Sequence, residues 1–99
     1  MILEIAQLPV PADRAAAFEE AFGRAQAIIS SMPGYVSHEL QRCVEKPELY
    51  VLLVRWRTLA DHDPGFRQSS QYQDWKKLLH HFYDPAPWVG HFERVASGF

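Results

Sequence analysis

Ninety-nine residues, 47% of them apolar and 22% charged, suit one globular domain and leave no room for a second. Ten basic residues against twelve acidic ones, a net charge of −2, exclude the basic surface that nucleic acid or an anionic membrane would require. Cys43 is the single cysteine, which rules out an internal disulfide and a cysteine-based metal site, and no apolar run approaches the ~20 residues of a membrane span.

Met1 leads directly into Ile2 to Leu8 (ILEIAQL) with no basic and apolar leader, which points to the cytoplasm. The segment alternates loosely, Leu3, Ile5 and Gln7 on one side and Glu4, Ala6 and Leu8 on the other. It predicts a first strand with neither face strongly polar. Pro9 and Pro11 end it, and Pro11 is placed to open a helix because its fixed φ suits a first turn. Ala15, Phe18, Phe22, Ala25, Ile29 and Met32 then fall three and four apart in a continuous apolar stripe. Ser31 to Gly34 (SMPG) stops that helix.

Tyr35 to Val44 alternates again, Val36, His38 and Leu40 against Ser37, Glu39 and Gln41, as a half-covered strand would. A short polar turn over Glu45 to Glu48 joins it to Leu49–Trp56 (LYVLLVRW), so the two strands form an antiparallel hairpin. The nearly unbroken apolar character of the second places it in the middle of the sheet. Thr58 with Asp61 resembles a capping box for a short helix, which Pro64-Gly65 interrupts. Ser70 with Gln73 predicts a second cap, followed by Tyr72, Trp75, Leu78, Leu79 and Phe82 on one helical stripe. Asp84 to Pro87 ends it, Trp88 to Val95 reads as a last strand, and Ala96 to Phe99 as a tail.

The order β-α-β-β-α-β is that of an α+β, ferredoxin-like βαββαβ domain over residues 2–95, a four-stranded antiparallel sheet with helices on one face. The other face is left open. With Val51 and Leu53, and Ala6 and Leu8, expected to point there, it favours a homodimer packed face to face.

Trp56, Phe66-Arg67, Ser69, Tyr72 and Trp75 together make a pattern that resembles the antibiotic biosynthesis monooxygenase family. Met32-Pro33-Gly34-Tyr35, Val54-Arg55-Trp56, Ala60 to Trp75 and Gly90-His91-Phe92 extend the resemblance over roughly residues 2–95. It implies a dimeric α+β barrel with a pocket between helices and sheet in each subunit. Members of the family oxidise polycyclic phenols to quinones with molecular oxygen and no metal, flavin or haem, while others of the superfamily bind and degrade haem. Haem degradation there resembles an Asn-Trp-His trio, whose matching positions here look like Gln7, Phe66 and either Trp75 or Lys76. The proximal histidine is missing, which disfavours haem, although His80 lies one turn later.

Oxygenation without a cofactor makes the substrate supply the electrons, so the protein needs an apolar pocket, a base, and donors for the developing anion. His62 is the first candidate for base or proton shuttle, since imidazole titrates near neutrality, although it could equally be packed on Phe66. It falls where the resemblance places a pocket-facing tyrosine. Trp56 matches the strand-end tryptophan of the family's pocket and can donate its indole N–H, or simply close the core. Phe66, Tyr72 and Trp75 are either a substrate-stacking wall or helix-to-sheet packing. Gln7 needs a polar partner if buried, from ligand or protein. Arg67 could steady an anionic substrate or pair with a neighbouring acid. His91 and His38 are weaker candidates whose facing the alternation leaves open, and His80-His81 read as structural or solvated. No histidine spacing fits a metal site. The expected function is therefore a cofactor-free monooxygenase acting with O2 on a phenolic or quinol-type small molecule, the alternative being a ligand-binding or stress-response dimer without turnover.

Overall fold

A computed structural model describes residues 1–98. The chain forms β1 (Ile2–Pro9), α1 (Ala15–Ser30), β2 (Tyr35–Arg42), β3 (Leu49–Trp56), α2 (Ser70–Leu79) and β4 (Trp88–Phe92). The four strands make one antiparallel sheet in the order β2-β3-β1-β4, with the helices on one face. This is the ferredoxin-like arrangement, and the apolar β3 is indeed central. Among the described residues no helix is long and apolar enough to cross a membrane.

The stripe expected on α1 faces the sheet, where Phe18, Phe22, Ala25 and Ile29 are buried. They meet Tyr50, Leu52, Val54 and Trp56, the buried alternate residues of β3. Trp75 and Leu79 close the layer from α2, with the Trp75 ring edge-on to Phe22 at 6.0 Å. Each such aromatic removes enough apolar surface from water to stabilise the fold by roughly 1.5–3 kcal/mol.

β1 faces the opposite way from the expectation for two of its residues. Its register pairs Glu4 with Val54, Ala6 with Leu52 and Leu8 with Tyr50, and cross-strand partners share a face. Glu4, Ala6 and Leu8 are therefore buried under the helices, whereas Ala6 and Leu8 had been placed on the open face. Gln7 is exposed on that open face, so it is not a buried amide and does not reach the helical side. Val51 and Leu53 point there as expected, with Leu3 and Ile5 beside them and Trp88 and Phe92 across β1.

Three local features also depart from the pattern in the sequence. A bulge between Tyr35 and Ser37 shifts the β2 register, so Val36 is exposed while Tyr35 and His38, three apart, both reach the helix side. The cap of α2 is Ser69, which accepts from Tyr72 N at 3.2 Å, one residue ahead of the Ser70 expected. β4 ends at Phe92 rather than Val95, and residues 93–98 are irregular. The tail expected over 96–99 is irregular as far as described, its last position lying outside the described residues.

Candidate active site

β3 ends on Trp56, and the chain turns immediately into a reciprocal cap. Thr58 N and Oγ1 donate to Asp61 Oδ2 at 3.1 and 2.9 Å, and Asp61 N donates back to Thr58 Oγ1 at 3.2 Å. That satisfies donors a helix start would otherwise leave free. The turn that follows, Asp61–Phe66, is wider than an α-helix and breaks at Asp63, whose φ of −136° and ψ of 107° are extended. The following Pro64 disfavours the helical region for Asp63. The result is a kinked loop that drives His62 and Phe66 inward, both buried.

The turn ending α1 is fitted against this cap. Gly34 has φ +82°, a conformation L side chains avoid, and a Cβ there would collide with the Asp61 carboxyl group. Its carbonyl accepts from Arg57 N at 2.8 Å, so the loop after α1 and the loop after β3 hold each other.

Glu4 and His91 are cross-strand partners on β1 and β4, and Trp56 and His62 reach them from the end of β3. Trp56 Nε1 donates to Glu4 Oε1 at 3.0 Å. His62 Nε2 lies 3.3 Å from the same oxygen, and His62 Nδ1 makes a 2.7 Å hydrogen bond with His91 Nε2. The His62 ring stacks on the Trp56 indole, centroids 5.4 Å apart and planes 20° apart. Glu4 is 6% and His62 3% exposed.

Burial pushes the Glu4 carboxyl above the usual carboxylate range, against the opposing pull of the Trp56 N–H and the Arg67 charge. Burial likewise lowers the His62 imidazole to about 4, reinforced by the charges of Arg67 and His91. His62 is therefore neutral at pH 7, with one nitrogen protonated and one carrying a lone pair. Its contact with Glu4 is imidazole against carboxyl rather than an ion pair.

The pair borders a cavity of about 190 Å³ between the sheet and α2. Glu4, His62, Arg67, Tyr72 and His80 supply its polar lining, and Leu8, Leu52, Phe66 and Trp75 are among its apolar walls. Phe66 meets Tyr72 at 5.2 Å and Trp75 at 5.6 Å, both edge to face, so the three rings form one corner. Arg67 Nη1 is 3.9 Å from Asp63 Oδ2, a partly exposed pair one turn apart. A wider hollow of about 460 Å³ lies between α1 and β2, lined by Glu19, Gln26, His38, Arg42 and Tyr50. It is open to solvent and contains no buried carboxylate, so chemistry is better supported at the smaller cavity.

Of the residues singled out from the sequence, His62, Phe66, Arg67, Tyr72 and Trp75 line one cavity. Trp56 sits behind them, holding Glu4, and His91 sits behind His62. Gln7 lies across the sheet from all of them. Glu4 and Tyr83 were missed, and His80, read as structural or solvated, is on the cavity wall against Tyr72 at 5.9 Å. Glu4 shares a strand face with Ala6 and Leu8, but the alternation alone does not say that this face lies under the helices.

The family model described as antibiotic biosynthesis monooxygenase matches residues 1–78. The uncharacterized protein YczJ of Bacillus subtilis (strain 168) is 50% identical over 95 residues, 96% of this chain and all of that one. A solved structure from Bordetella bronchiseptica that carries the same family description superposes with a TM-score of 0.92 at 35% identity, covering 96% of this chain and 97% of that one. SnoaB, a cofactor-independent oxygenase from Streptomyces nogalater, is similar in fold alone, with a TM-score of 0.84 at 21% identity over 97% of this chain and 94% of that one.

Proposed function

The chain belongs to the antibiotic biosynthesis monooxygenase family, and from that premise we propose that it oxidises a phenolic or quinol-type ring with O2, without a bound cofactor, in the cavity beneath α2. The observation that carries this reading is the buried Glu4 carboxyl on the cavity wall, with the contacts from Trp56 and His62 both on Oε1. The other oxygen is left for a ligand. A carboxyl whose proton affinity is increased by burial is suited to take the proton of a phenol, which leaves an electron-rich anion able to reduce oxygen. The Arg67 guanidinium on the same wall can steady that anion. The fold shared with the cofactor-independent oxygenase SnoaB supports the reaction class.

The cavity sets the size of the substrate. An enclosed apolar space of roughly 150 Å³ holds a benzene ring, and about 190 Å³ is available here. One substituted ring fits within it. The same volume favours a second reading, capture of a small ring without turnover, because it lies below the ~300–1,000 Å³ usual for ligand pockets. We further propose that the open sheet face, with Leu3, Ile5, Val51 and Leu53 at its centre, pairs two copies into a homodimer.

Oxygen uptake with methylhydroquinone decides between turnover and capture. The wild type is expected to consume oxygen faster than autoxidation in buffer, and Glu4→Gln to lower that rate at least about 100-fold. An unchanged rate in Glu4→Gln would remove Glu4 as the base. Saturable binding without oxygen uptake would establish capture instead.

A further inference from the structure

Glu4, His62 and His91 form a series that leads away from the cavity. Glu4 and His62 border it; His91 does not line it, and its described side-chain hydrogen bond is to His62. The His62 ring uses its two nitrogens in opposite directions, Nε2 toward Glu4 Oε1 at 3.3 Å and Nδ1 toward His91 Nε2 at 2.7 Å. Burial falls along the same line, since Glu4 and His62 are buried and His91, on the edge strand β4, is only half-buried. A packing histidine needs one hydrogen-bond partner for its N–H. Two polar partners in line, one a carboxyl on a cavity and the other an imidazole nearer solvent, are the requirement for passing protons.

We propose that His91 is the outer member of a proton relay, Glu4 to His62 to His91, that connects the buried base with solvent. The relay rests on the reading of Glu4 as the base. In the outward direction the substrate O–H bond breaks and its proton goes to the Glu4 carboxylate. With both rings in their Nδ1–H tautomers, rotation of the carboxylic acid brings the proton it took from the substrate to the His62 Nε2 lone pair, His62 Nδ1–H passes one to His91 Nε2, and His91 Nδ1–H releases one to water. Each imidazole accepts at one nitrogen and releases at the other, so one proton leaves, the substrate anion remains, and both rings end as the other tautomer. Inward flow of one proton, taken up by the oxygen being reduced to water, returns both rings to their starting tautomers. The electrons for that reduction come from the substrate, so no further co-reactant is needed.

Asp63 and Arg67 are the charged groups that flank His62 from its own loop, and no cation or second acid from α2 or β3 stands between His62 and His91 among the described contacts. Among the described contacts, His91 is the group next in line from His62. His91 touches neither the cavity nor a ligand there, and acts through His62.

The relay can be tested without turnover. Nitrogen-15 NMR of the histidine rings should show scalar coupling across the His62 Nδ1 to His91 Nε2 hydrogen bond. Exchange of the His62 ring proton with water should slow about tenfold in His91→Ala and in His91→Gln, and free imidazole should restore it in His91→Ala, where truncation leaves room for the ring. His91→Gln keeps a polar partner for His62 but cannot tautomerise, so slowing there separates relay from packing. Unchanged exchange in a folded His91→Gln protein, or slowing that imidazole does not relieve, would overturn the relay. If exchange slows as expected while wild-type protein takes up no oxygen with methylhydroquinone, the relay stands and the oxygenase reading falls.

Discussion

Two histidines on the helix-facing side of the sheet are held between two hydrogen-bond partners, and their surroundings make them different groups. On the β4 side His62 lies between Glu4 and His91, stacked on Trp56 and bordering a small, partly open cavity. On the β2 side His38 lies between the Tyr35 hydroxyl and Gln26 Oε1, the latter at 2.7 Å, beside the wide hollow along α1. Burial lowers the proton affinity of both rings. Of the two, only His62 faces a buried carboxyl, and its other partner is the half-buried His91 on the edge strand. A histidine with satisfied nitrogens is therefore no sign of chemistry by itself; what its partners connect is the distinguishing feature.

Activity should separate the two sites most. His62→Ala is expected to lower oxygen uptake with methylhydroquinone at least about 100-fold, and His38→Ala to leave it within about twofold. Equal losses in the two variants would break the comparison. Acid stability separates them next. Because the folded-state pKa of His62 lies below its ordinary value, the proton binds the unfolded chain more tightly, so the contribution of His62 is complete above about pH 6.5 and is lost as pH falls toward 4. The loss amounts to at most about 3 kcal/mol, measurable as the change in urea-unfolding free energy across that window. His62→Gln should flatten that slope, and His38→Gln should alter it much less, since its ring is partly solvated. The smallest separation concerns the partners themselves. Trp56→Phe deprives the buried Glu4 of its donor and should cost about 1–3 kcal/mol of stability, whereas Gln26→Ala, at an exposed contact, should stay within about 0.5 kcal/mol. Paired denaturation curves at pH 7 test both.

Most of the architecture was legible because the periods were clean. The α1 stripe from Phe18 to Ile29 and the apolar run of β3 leave little choice about what they face. β1 was harder, since both of its faces are largely apolar and alternation then fixes the two sets of residues but not which set lies under the helices. Glu4 and Gln7 fall in opposite sets, so one of them had to be on the helix side. The cost of burying a charge favours the amide for that role. That argument fails here because Trp56 and His62 arrive from 52 and more residues away with an indole N–H and an imidazole. Such compensation is a property of tertiary structure. The bulge at Val36 is hidden for a related reason, as a register shift leaves the residue types unchanged.

The fit of Gly34 against Asp61 makes position 34 part of the candidate-site loop in mechanical terms, although it does not line the cavity. Any larger residue there pushes on the carboxyl group one position before His62. A screen for lost activity should therefore return changes at Gly34 alongside those in the cavity wall, and such variants would be defective in holding the imidazole on line rather than in binding a substrate.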